Sequence, residues 1–377
     1  MYKIDYSKIP DFKNKYLQCL ELQPEENDDE KTKKRKQRNY VKLSTAWKKL
    51  KEQICILPQN NNQVTRQKAL YDMEIEDFLT ADFEILAKIY LDFINLLPRD
   101  EYENIIHGNG TNGKKISDTN PRIENPLMEE SKEVFNYTET RARQIASFFY
   151  KSNSKLNIST CFYCNASYIN FFETKNITGY KRMFDIDHFI PKAQCPILSL
   201  CLYNFVPCCK VCNGKTIKGD TPFQEFYRIQ NLLPNEKLDQ IQKLAPTSKN
   251  YKFEENVKIT IIPNSQKNGV WKPDITFLDN PDNYRIDFIH FENDYFRETK
   301  AFDINERYNS PNTIHEALNI LDLRKKYDKN NIKYIKDILC KYGNNITEDE
   351  IEEDIFHTKF NNNHGIIYSK MKKDILQ

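Results

Sequence analysis

Cys161-Phe-Tyr-Cys164 and Cys209-Lys-Val-Cys212 frame the stretch that decides the fold, with Phe184-Asp-Ile-Asp-His-Phe-Ile-Pro-Lys192 and Leu202-Tyr-Asn-Phe-Val-Pro207 between them. A gap of two residues lets both thiolates of a knuckle point at one ion, and two knuckles complete a tetrahedral zinc site. The knuckles are 44 residues apart. That is more than a simple zinc ribbon holds, so a substantial insert separates them. Cys208 competes with Cys209 for the ligand position, since a small change of register exchanges them. A redox dithiol is the rival reading; it needs only one pair and thioredoxin-like surroundings. Cys195 and Cys201 read as buried small apolar residues, and Cys19, Cys55 and Cys340 are scattered.

Working outward, ten cysteines sit in a chain of 377 residues. The start, Met1-Tyr2-Lys3-Ile4-Asp5-Tyr6, lacks the basic-then-apolar pattern of an export signal. A cytoplasmic location and metal or redox use of the thiols are expected, in place of a disulfide scaffold. Apolar residues make up 39% of the chain and charged residues 29%. Mean hydropathy is −0.75. No apolar run approaches the roughly 18 residues of a spanning helix, so no membrane partner is expected. With 56 basic and 54 acidic side chains the net charge is +2, which neither announces nor excludes a nucleic acid. Local charge says more. Residues 31–49 carry nine bases and no acid, after eight acids and four bases in residues 1–30. The basic segment reads either as a helix face that grips a nucleic-acid backbone or as a solvated face paired with Glu25, Glu26, Asp28, Asp29 and Glu30.

Hydrophobic spacing predicts helices over 35–54, 73–97 and 128–150, with a Gly-, Asn- and Pro-rich linker over 107–126. Period-two stretches predict strands over 257–262, 275–278 and 284–291, and helix returns over 312–342. The expected class is α+β in three parts. Residues 1–126 form a mainly helical N-terminal region, 127–225 hold the cysteine module with its lead-in helix, and 226–377 form a C-terminal region of antiparallel strands followed by helices.

The Asp187-His188 pair followed by Pro191-Lys192, Asn204 ahead of the second knuckle, and Cys212-Asn-Gly-Lys215 resemble, in this order, the HNH endonucleases of the zinc-knuckle type. The resemblance covers roughly residues 157–222. It implies a ββα-metal domain, in which a hairpin and a helix grip one catalytic divalent ion. It further implies that His188 is the general base toward water, a task suited to an imidazole titrating near neutrality. Asp187 is implied as a ligand of the ion. Asn213 stands where the final His of the family name belongs, so the chain resembles an H-N-N variant with Asn213 as the second ligand. Oxygen ligands favour Mg²⁺ or Mn²⁺ there. Asn204, the middle letter, is implied to hold the His188 loop by side-chain to backbone hydrogen bonds. Asp185, two residues from Asp187, shares its strand face and reads either as a group supporting Asp187 or as a solvated acid. Lys192, Lys215 and Lys218 are candidate phosphate contacts, each with a solvated surface lysine as the plain alternative. Cys161, Cys164, Cys209 and Cys212 are the implied zinc ligands. His107, His290, His315, His357 and His364 have no metal spacing.

Two look-alikes fail on spacing. Gly214-Lys215-Thr216 lacks the upstream Gly of a P-loop, which falls at Cys209. The zinc-deaminase pattern needs His-x-Glu, and the chain has His188-Phe189-Ile190. The segment Phe302-Asp-Ile-Asn-Glu-Arg-Tyr-Asn309 and the amphipathic helix after it are similar to the region beyond the nuclease core in bacterial defence HNH proteins. The group is the one paired with an ATPase in Septu-type and retron anti-phage systems. The function so implied is metal-dependent hydrolysis of phosphodiester bonds in DNA, RNA not being excluded, with an ATPase as possible partner. The alternatives are a catalytically inactive zinc-knuckle module binding nucleic acid or protein, and a thiol redox protein.

Overall fold

The structure, a computed structural model, describes residues 2–54, 70, 72–107, 125–174, 177–263, 280–357 and 366–376. Among these residues, strands pair into three two-stranded antiparallel sheets. β1 (Phe171–Thr174) pairs with β2 (Ile177–Arg182), β3 (Asp185–His188) with β4 (Phe205–Cys208), and β5 (Val257–Pro263) with β6 (Tyr284–His290). Helices make up most of the rest, so the α+β class holds. In the β3–β4 ladder Asp187 lies opposite Val206 and His188 opposite Phe205.

The N-terminal region is helical, as its spacing predicts. The helix Glu30–Ile54 begins five residues before the expected start at 35 and buries Leu43, Trp47, Leu50 and Ile54 on one stripe. Its basic face is partly taken up by the acids before it. Lys36 is buried and pairs with Asp28 at 2.7 Å, and Arg35 pairs with Glu21 at 2.9 Å. Three long predicted helices each prove to be two. The run 73–97 divides into Ile75–Leu79 and Phe83–Asn95, where the Thr80 hydroxyl donates back to the Glu76 carbonyl at 2.8 Å. The run 128–150 divides into Pro126–Val134 and Glu139–Lys151, the second capped by Thr138, which accepts from the Arg141 N–H at 3.2 Å. The run 312–342 divides into Pro311–Lys326 and Lys329–Lys341 around the cap Asp328. Apolar residues continue in helical register through each break, which is why spacing alone did not show it.

Strands 257–262 and 284–291 are observed as β5 and β6. The expected strand 275–278 and most of the linker 107–126 lie outside the described residues. The three expected regions share one main core, which runs from Tyr2 to Met371 and draws on all of them. A second, small core gathers Ile320, Ile332, Ile351, Phe356 and Leu376 near the C-terminus. The N-terminal segment also buttresses the cysteine module directly. The Tyr6 hydroxyl donates to the Phe205 carbonyl at 3.1 Å, and that of Tyr16 to the Leu200 carbonyl at 2.7 Å. Both phenols are fully buried, so these bonds also satisfy groups that burial would otherwise strand.

Candidate metal centre and active-site cleft

The two knuckles meet. The Sγ atoms of Cys161, Cys164, Cys209 and Cys212 all lie within 4.8 Å of one another, with every one of the four residues buried. Across the knuckles, Cys161 and Cys212 are 3.8 Å apart and Cys164 and Cys209 3.9 Å apart. Such a set can hold a metal ion. The competition between Cys208 and Cys209 is decided by the ladder: Cys208 ends β4 opposite Asp185, and Cys209 caps the helix Lys210–Asn213. The Cys209 sulfur accepts from the Cys212 N–H at 3.4 Å and the Cys164 sulfur from the Ala166 N–H at 3.4 Å. Within the cluster, sulfur contacts from Cys161, Cys164 and Cys212 pull the Cys209 thiol well below its usual pKa, while burial pushes Cys161 up and Cys212 is raised as well. Cys195 and Cys201 are wholly buried elsewhere in the core, and burial pushes both thiols up.

One member of the centre was not legible in the motif. The Arg307 guanidinium donates to the Cys212 sulfur at 3.2 Å and to the Cys164 sulfur at 3.3 Å, one contact on each knuckle. Burial opposes its charge, and the neighbouring cysteine sulfurs more than offset this, so its pKa is raised. Beside it the Tyr308 hydroxyl donates to the Cys164 carbonyl at 2.8 Å, and Phe302 stacks on Tyr163 with centroids 4.4 Å apart. The segment 302–309 therefore docks on the cysteine centre.

Along β3 lies a cleft of about 480 Å³ whose lining includes Arg182, Asp185, Asp187, His188, Lys192 and Asn213. Consecutive strand residues face opposite sides, yet β3 ends at His188, and both Asp187 and His188 reach the cleft. The helix Lys210–Asn213 delivers Asn213, whose side-chain amide donates to Asp185 at 3.3 Å. Gly214 ends that helix. A Cβ there would stand 2.5 Å from the Lys210 carbonyl oxygen, so no larger residue fits the turn.

His188 is buried, and its Nε2 lies 3.0 Å from the Ser199 carbonyl oxygen. A carbonyl only accepts, so Nε2 carries the hydrogen and Nδ1 keeps its lone pair. Burial lowers the pKa to about 3, so the ring is neutral at pH 7 with its Nδ1 lone pair free, but it is a weaker base than the near-neutral imidazole expected from the sequence. Tyr137 packs T-shaped against the ring, centroids 4.5 Å apart, and Phe205 lies 4.9 Å away. Asn204 is wholly buried behind the loop. Its Oδ1 accepts from the Ile190 N–H at 2.8 Å, and its Nδ2 donates to the carbonyls of Ile190 at 3.0 Å and Leu198 at 3.2 Å. Every one of these bonds is from side chain to backbone, and they tie the segment after His188 to the segment carrying Ser199.

The three candidate phosphate lysines separate. Lys192 is exposed at the cleft, 4.4 Å from the centre of the Tyr137 ring. Lys215 is exposed but is not among the residues lining the cleft. Lys218 departs from the expectation of an open phosphate contact, for it is buried and donates to Asp187 Oδ2 at 2.5 Å and to the His188 carbonyl at 2.8 Å. The positive φ of Gly219 (50°) turns the chain just after it. The Tyr163 hydroxyl donates to the same Asp187 oxygen at 2.8 Å, which leaves Oδ1 for another ligand. Of the remaining histidines, His107 pairs with Glu103, His290 bonds Thr299, and His315 and His357 are exposed, while His364 lies outside the described residues.

The Lys218–Asp187 pair makes a testable arrangement. Removing one partner of a buried ion pair costs about 3–5 kcal/mol. Lys218→Met is therefore expected to lower the thermal midpoint in EDTA, and millimolar Mg²⁺ to recover more of the loss in the variant than it adds to the wild type. Thermal melts with and without Mg²⁺ check this. A variant midpoint indifferent to Mg²⁺ would remove Asp187 from the candidate cation ligands.

No family model, curated protein or solved structure matches the chain. No helix among the described residues is long and apolar enough to cross a membrane.

Proposed function

We propose that the chain is a metal-dependent endonuclease of the HNH type, hydrolysing phosphodiester bonds in DNA, with a zinc ion in its four-cysteine centre. The observation that carries the reading is the end of β3. There Asp187 and a neutral His188 with an available Nδ1 meet Asn213 in one cleft. Zinc suits the sulfur set, because a tetrahedron with Zn–S of about 2.3 Å has edges of about 3.8 Å, and the cross-knuckle contacts are 3.8 and 3.9 Å.

In the reaction His188 takes a proton from water through Nδ1, while the Ser199 carbonyl holds Nε2–H and with it the tautomer. Tyr137 and Phe205 fix the plane of the ring by packing. Asn204 keeps the loop behind it from shifting, which matters because a displacement of about 1 Å costs about a hundredfold in rate. Asp187, through Oδ1, and Asn213, through its amide oxygen, fit a hard divalent cation such as Mg²⁺ or Mn²⁺. When bound, that cation supplies stabilisation of negative charge on the phosphate and the leaving oxygen. Supercoiled plasmid incubated with the protein and Mg²⁺ is expected to become nicked or linear, and EDTA to stop the conversion. Plasmid that stays supercoiled under single-turnover excess of protein would overturn the reading and favour a binding module.

A further inference from the structure

The geometry points to a second phosphate subsite in the cleft, built from Arg182 with Lys192 across the ring of Tyr137, that holds a backbone phosphate beside the one cleaved. It rests on the endonuclease reading for the identity of the ligand. Three observations carry it. Arg182 ends β2 and lines the cleft, yet its Nη1 is buried with no hydrogen-bond partner. A buried donor without a partner is costly, more so when charged, unless a ligand satisfies it. Among the described residues neither Arg182 nor Lys192 has a carboxylate partner, whereas the third cation of the cleft, Lys218, is held by Asp187. The cleft thus keeps two uncommitted positive charges on the wall formed by Tyr137, and an anion is what complements them.

Tyr137 connects the pair to the reacting end of the site. Its ring packs T-shaped against His188 with centroids 4.5 Å apart, and the Lys192 ammonium stands 4.4 Å from its centre. Burial raises the Tyr137 phenol above its usual pKa, while Arg182 lowers it and Asp187 raises it. Arg182, Tyr137 and His188 line the same cleft, so an anion held at Arg182 shares it with the His188 imidazole. The guanidinium fork favours a phosphate, which it can bind through two parallel N–H donors. Lys192 adds charge without that directionality.

The test uses the full chain with His188→Ala, which prevents cleavage, and a fluorescent DNA duplex in EDTA buffer. Affinity is measured across a series of KCl concentrations. Adding Arg182→Met is expected to weaken binding about tenfold and to reduce the slope of log K against log[KCl] by about 1, the signature of one lost phosphate contact. Arg182→Lys, which keeps the charge and loses the fork, is expected to keep the slope and weaken binding a few-fold. Should Arg182→Met fail to fold, the lysine variant decides alone, and affinity equal to the His188→Ala parent overturns the subsite. Unchanged affinity and slope in a folded Arg182→Met protein overturns it too, as does a parent that does not bind duplex at all. Plasmid cleavage by the wild type with binding indifferent to Arg182 rejects the subsite and leaves the nuclease reading standing. Binding governed by Arg182 with no cleavage by the wild type does the reverse.

Discussion

His188→Ala is expected to lower Mg²⁺-dependent plasmid cleavage by about 10²–10⁴-fold, the range a positioned general base contributes. The variant keeps β3 intact, because the His188 main chain still pairs with Phe205 and its carbonyl still accepts from Lys218. What disappears is the Nδ1 lone pair and the packing of the imidazole against Tyr137 and Phe205. Two controls separate these. Circular dichroism and metal content, both expected to match the wild type, show that the fold survives. His188→Gln, which restores part of the packed volume without a base of comparable strength, is expected to stay near the alanine level. Full activity in either variant would transfer the proton-accepting role elsewhere and sink the mechanism proposed for the cleft.

The second large effect concerns the cysteine centre. One zinc per chain is expected, and stripping it, or replacing Cys164 with serine, is expected to unfold the central module. Binding of structural zinc contributes about 10–16 kcal/mol in small zinc domains, against a total stability of about 5–15 kcal/mol for a typical protein. The ligands here are not peripheral, since Cys161, Cys164 and Cys212 are fully buried within the main core. Their loss would reach the cleft through Cys209 and Cys212, which start and staple the helix that presents Asn213. Elemental analysis with a thermal melt before and after chelation measures both quantities. A chain without zinc that melts as the native protein does would return the cysteines to the redox reading.

How much of this was legible in the sequence depends on the range of each interaction. The knuckles are local, and two residues of spacing suffice to aim two sulfurs at one point, so Cys161, Cys164 and Cys212 could be read directly. Cys209 follows from its two-residue spacing to Cys212, while its neighbour Cys208 stays a rival until the pairing of β4 with β3 sets it apart. The strands β5 and β6 could be read because alternation survives in each, with Val257 and Ile259 buried in one and Ile286 and Phe288 in the other. The helix breaks could not. Phe135 and Tyr137 extend the apolar pattern across the gap between Pro126–Val134 and Glu139–Lys151, and this break is what places Tyr137 in the cleft. Lys218 reads from sequence as one more lysine after a motif, and only its burial beside Asp187 reveals a structural cation. Arg182 gave no signal of its own. Its one sign is an unsatisfied donor, a property that exists only in three dimensions.

The Arg307 contacts carry a consequence for biosynthesis. Arg307 comes 95 residues after Cys212. At about 5–20 residues per second of translation, the fourth sulfur is made roughly 5–20 s before the guanidinium that bridges the two knuckles. If the centre binds its ion as proposed, a nascent chain has both knuckles in hand before it has the arginine that bridges them. Assembly of the centre would then be a timed event, with the knuckles made early in synthesis and the bridge supplied by the chain's own later residues.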